Sequence, residues 1–155
     1  MAPFTLNGRI WLEQRQGNIE PVLSLVQAEL QKQHPLSIER RGDTIHFRAG
    51  LFRSVSSWNI LVPIDQGTVR IVQDIEGTAL VYRLRYGQLF VIASLMTLGL
   101  VSPVAWAAPD QLPFGTAGTL VVMWSWLFGA NLVISAARFP AFLRRVVAQA
   151  VKDPE

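Results

Sequence analysis

His34 and His46 are the only histidines in this 155-residue chain, and no cysteine accompanies them. A nucleophile, a general base or a metal centre would have to be assembled from these two rings and the carboxylates and hydroxyls around them. His46 has Asp43 nearby and Arg48 on its own side of an alternating segment, which is neither a metal spacing nor a nucleophile–base pair. His34 stands before Pro35, where a helix is expected to stop. Ser54, Ser56 and Ser57 form a polar cluster that no sequence pattern couples to a base, so loop solvation accounts for them. Asp74 and Glu76 flank one expected turn and Asp65 lies in another, which places all three carboxylates at the surface. Gly67, Gly77 and Gly87 recur every ten residues but suit turns and element ends rather than a phosphate loop. Arg41-Gly42-Asp43 likewise reads as a turn. The sequence assigns no catalytic residue, cofactor site or metal site, and leaves enzyme activity open.

Charge does not point to a polyanion either. Residues 1–87 hold ten Lys/Arg against eight Asp/Glu, and residues 88–155 hold four against three. The net charge of +3 is thus spread thinly, with no basic run to suggest nucleic acid. The absence of cysteine removes disulfides and thiolate chemistry but fits an oxidising or a reducing compartment equally. The first sixteen residues lack a continuous apolar stretch, so no cleavable leader is expected, and neither Ala2 nor the C-terminus offers a lipidation site.

The dominant feature is a gap in charge. Between Arg85 and Arg138 the only charged residue is Asp110, and the gap holds two apolar runs, from Leu89 to Ala108 and from Phe114 to Ala137. About 20 helical residues rise roughly 30 Å, the thickness of a bilayer core. The linker 109–113 is too short to return across a membrane without helices on both sides, so an antiparallel helical hairpin, in which each helix satisfies its own backbone in lipid, is the simple solution. The alternative is a pair of buried helices in a soluble bundle, though two such long uncharged runs are difficult to solvate in a chain this small. Pro103 is expected to bend the first helix. Arg83 and Arg85 precede the first run, and Arg138, Arg144 and Arg145 follow the second, so the positive-inside rule puts both termini in the cytoplasm and the loop outside. Asn131, polar within the second run, is expected to face the first helix or another subunit. Pro140 is expected to redirect the chain into a terminal amphipathic helix. Its apolar set would be Phe142, Leu143, Val146, Val147 and Val151, lying along the cytoplasmic interface.

Residues 1–87 must then form the head. A first strand over Phe4 to Glu13 is followed by a helix capped by Asn18, with Ile19, Val22, Leu23, Val26 and Leu30 at helical spacing. Alternation over 36–40 and 44–48 about Gly42-Asp43 predicts a hairpin, and further strands are expected at 59–62, 68–73 and 78–85. The predicted architecture is a small cytoplasmic α+β head with a mostly antiparallel sheet (1–87), a two-helix transmembrane hairpin (88–139) and a short amphipathic C-terminal helix at the interface (140–155).

Two roles are consistent with this plan. The leading one is a noncatalytic accessory, scaffold or assembly subunit of a membrane-protein complex or homo-oligomer, with membrane lipids as the surrounding contact. Its candidate partner contacts are Phe52 and Trp58 on the head and Trp124, Trp126 and Asn131 on the hairpin. The alternative is a lipid- or small-ligand-binding sensor, which requires an apolar head cavity lined by residues such as Trp11, Phe47 and Tyr82.

Overall fold

The computed structural model describes residues 4–12, 20–49, 60–108, 110, 112 and 114–152. Its elements are β1 (Thr5–Trp11), α1 (Glu20–Lys32), β2 (Ser37–Arg41), β3 (Thr44–Arg48), β4 (Gln66–Asp74), β5 (Gly77–Arg85), α2 (Gly87–Ala107) and α3 (Gly115–Lys152). The strands form one antiparallel sheet in the order β1-β5-β4-β3-β2. The fold is therefore mixed α+β, with two helices long and apolar enough to cross a bilayer.

Alternation decides which way the sheet faces. Ile10, Ile45, Phe47, Val69, Ile71, Leu80, Tyr82 and Leu84 all point to one side, where they are buried. Over them lies α1, burying Val22, Leu23, Val26 and Leu30 at the spacing read from the sequence. Arg40 of β2 reaches back to Glu20 at 2.6 Å and to Ser24 Oγ at 3.3 Å, pinning the start of α1 to the sheet edge. At its other end α1 stops before Pro35, and His34 takes a left-handed φ of 52°. The expected cap Asn18 lies outside the described residues.

Two expectations are corrected here. Residues 60–63 form a turn instead of a strand, closed by the Ile64 N–H on the Leu61 carbonyl at 3.0 Å. Pro63 has no N–H to give a ladder, while Leu61 and Ile64 still plug the core from the turn. The second correction concerns the C-terminus. Pro140 does not redirect the chain: α3 continues through it as one helix of 38 residues, about 57 Å long at 1.5 Å per residue. On the two sides of the proline, Phe139 before it and Leu143 and Val146 after it are fully or almost fully buried. The Phe139 ring sits 6.0 Å from that of Phe47 and 5.4 Å from that of Tyr82. Phe142, Leu143, Val146 and Val147 of the apolar set expected at a lipid interface thus belong to the second helix of the head core, beside α1, while the Val151 side chain lies outside the described residues.

The junction between head and hairpin is stiffened by specific bonds. Asp65 accepts the Gln88 N–H with both carboxylate oxygens, at 3.0 and 2.9 Å, and so caps α2 from the neighbouring loop. Tyr86, fully buried, shares a hydrogen bond of 2.9 Å with Ser135 of α3. Burial pushes the Asp65 carboxyl above its ordinary value of 3.8, with the Gln88, Gly87 and Leu89 amides pulling back in part. The folded state therefore holds this proton more tightly than the unfolded state. Its stabilising effect is fully present below the ordinary value and is lost as pH rises through the raised one. The stability advantage of wild type over Asp65→Asn, measured by thermal unfolding in detergent, is expected to shrink as pH rises through that window.

Candidate functional site

Among the described residues no element covers the side of the sheet away from α1 and α3, and its composition follows from the register. The row nearest the start of α2 reads Ser37, Arg48, Gln66, Arg85, Thr5 across the five strands. The next row reads Glu39, His46, Thr68, Arg83, Asn7, and the third reads Arg41, Thr44, Arg70, Val81, Arg9. Six arginines thus share one face, although the sequence separates them by up to 76 positions from Arg9 to Arg85. Each strand contributes only one or two, always at outward positions of its alternation, which is why no basic run is visible in the chain.

The face is hollow at its centre. Short side chains floor two adjoining depressions of about 460 and 520 Å³, which share His46, Thr68 and Arg83. Arg41, Arg48 and Arg85 rim the first, and Arg70 rims the second. Glu39, within the first depression, is taken up by Arg41 at 3.0 Å. Arg9 lies 3.9 Å from Asp74 and stacks over Trp11, with its guanidinium carbon 5.1 Å from the ring centroid. Among the described residues, Arg48, Arg70, Arg83 and Arg85 have no acidic partner within ion-pair distance. Neighbouring guanidinium groups without acids repel one another, so such a face favours a bound anion.

The second surface is the hairpin. On α2 and α3, Val91, Leu95, Met96, Leu98, Leu100, Val121, Val122, Val133 and Ile134 are all exposed, and Trp106 is 92% exposed. Inside the hairpin, Phe4, Phe90, Trp124 and Phe128 form one aromatic cluster with centroid separations of 4.7–6.0 Å. It joins the start of β1 to both long helices.

The hairpin contact candidates separate accordingly. Trp124 is internal, its indole N–H donating to Ser94 Oγ at 3.0 Å. Trp126 is 73% exposed on the outside. Asn131 is also exposed, its amide donating to the Leu127 carbonyl of its own helix at 2.7 Å. Phe52 and Trp58 lie outside the described residues. Of the three aromatics expected to line a ligand cavity, Phe47 and Tyr82 are instead packed around Phe139, and Trp11 sits on the opposite face. His46 stands exposed among arginines. Ser135, the buried partner of Tyr86, and the arginine face are the features that sequence reading missed. Comparison with protein-family models, curated proteins and solved structures finds no match.

Proposed function

We propose that this chain is a two-span membrane protein with its head and both termini in the cytoplasm, acting as a noncatalytic accessory, scaffold or assembly subunit. The observation that carries the reading is the exposed apolar belt around α2 and α3, which is far more extensive than a soluble monomer keeps in water. Arg83, Arg85 and Arg138 at the inner ends, against Asp110 alone in the loop, support the orientation. The rigid coupling supports a presenting role. One unbroken helix, the Asp65 cap and the Tyr86–Ser135 bond fix the head relative to the hairpin, so a partner docked on either would feel both.

The absence of cysteine makes the orientation directly testable. Cysteine introduced at Asp110 is expected to react with a membrane-impermeant maleimide in intact cells, whereas cysteine at Ser37 reacts only after the membrane is opened. The reverse pattern, or labelling of both in intact cells, sinks the topology. The accessory role predicts a stable neighbour recovered by crosslinking in native membranes and purification in mild detergent. A chain found only as a monomer by both methods would end that role.

A further inference from the structure

We infer that the bare arginine face of the sheet is a docking surface for an extended acidic segment of a partner protein. The inference rests on the membrane reading above, because that reading sets which way the face points. Phe139 of α3 packs against Phe47 and Tyr82 on the inner side of the sheet. With α3 crossing the bilayer and the head in the cytoplasm, the arginine face lies on the side of the sheet away from α3 and opens to the cytosol.

The geometry selects among anions. Arg83 and Arg85 are alternate residues of β5, about 7 Å apart along the strand, and Arg48 lies two strands from Arg85, about 10 Å across the sheet. Alternate side chains of an extended polypeptide also recur at about 7 Å, so carboxylates on one side of it can meet successive guanidinium groups. The two depressions adjoin, which makes an open trough suited to a length of chain; a compact ligand would call for an enclosed pocket. Its floor of Ser37, Gln66 and Thr68 supplies neutral hydrogen-bonding groups beneath the charges. Single-stranded nucleic acid would require aromatic platforms between the cations. Among the described residues the outward positions of the sheet carry a single indole, Trp11, at the margin and covered by Arg9, and a single imidazole, His46, rather than a series of platforms. Asp43, Asp74 and Glu76 stand at the far turns, whereas Asp65 at the near end is taken up by the Gln88 amide, which leaves the unpaired positive charge of Arg48 and Arg85 toward the end nearest the hairpin.

The test uses the full chain in uncharged detergent micelles and a fluorescein-labelled peptide alternating glutamate and serine, followed by anisotropy. Saturable binding that weakens with added salt is expected. Arg83→Glu is expected to lower affinity about tenfold or more, whereas Arg145→Glu on α3, with the same change in net charge, leaves it nearly unchanged. Arg83 is exposed and has no acidic partner among the described residues, so its variant should unfold at the wild-type temperature. Absence of saturable binding, or equal loss in both variants, overturns the inference. So does preferential displacement of the peptide by an oligothymidylate or a short-chain phosphatidylserine of equal charge. The measurement needs no cellular partner, so it can fail while the accessory role stands, and failed copurification can end that role while this surface stands.

Discussion

Phe139→Ala is expected to cost the fold about 3–5 kcal/mol, the range for truncating a large buried aromatic. The ring has no exposed surface and touches three others, those of Phe47, Tyr82 and Phe142, at centroid distances of 5.4–6.3 Å. Its neighbours cannot close the void cheaply, since Phe47 and Tyr82 are held by cross-strand pairing on three strands. Denaturant unfolding of the full chain in detergent, followed by tryptophan fluorescence and circular dichroism, is the appropriate measurement. The head should unfold at markedly lower denaturant while α2 and the part of α3 before Phe139 keep their helicity. Trp126→Ala serves as the contrast. That side chain is 73% exposed, so its removal should shift the same transition by no more than about 0.5 kcal/mol. Equal effects would mean that α3 around Pro140 is not part of the head core.

That segment also shows where sequence reasoning stops. The apolar spacing of Phe142, Leu143, Val146 and Val147 was legible as an amphipathic stripe, but a stripe does not say whether it faces lipid or protein. Proline in a helix removes one N–H donor and favours a break. Burial of the residues on either side of it offsets the one lost N–H, and the helix runs on. The sheet was more legible, because alternation is local and turn residues such as Gly42 and Gly77, both at positive φ, mark its hairpins. The 59–62 strand failed for a local reason, since Pro63 and the Leu61–Ile64 turn bond compete with extended pairing. The arginine face was illegible in principle. Its six members come from five strands, and only the strand order and register bring Arg48 of β3 into the same row as Arg85 of β5. The hairpin candidates divided for the same reason. Trp124 and Trp126 are two residues apart, and the helix turns one into the aromatic cluster and the other outward.

Gly67→Ala is expected to destabilise the head by about 1–3 kcal/mol through overpacking. Gly67 is buried on β4, directly between Phe47 of β3 and Leu84 of β5 in the register. A methyl group there would press into the Phe47 ring, with Cε1 at 2.6 Å, and would lie 2.9 Å from Leu84 Cδ2. Relief requires the Phe47 ring to move, and Phe139 blocks its path at 6.0 Å. The two predictions are therefore coupled. In the Phe139→Ala background the vacated volume lets Phe47 swing away, so adding Gly67→Ala should cost distinctly less than it does in wild type. A coupling of about 0.5–3 kcal/mol is expected from residues that share one mobile neighbour, measured as a double-mutant cycle on the same unfolding transition. Strict additivity would place the strain of Gly67→Ala on Leu84 and the β4–β5 ladder instead. It would also deny that α3, by holding Phe139 against the sheet, fixes the packing beneath the arginine face.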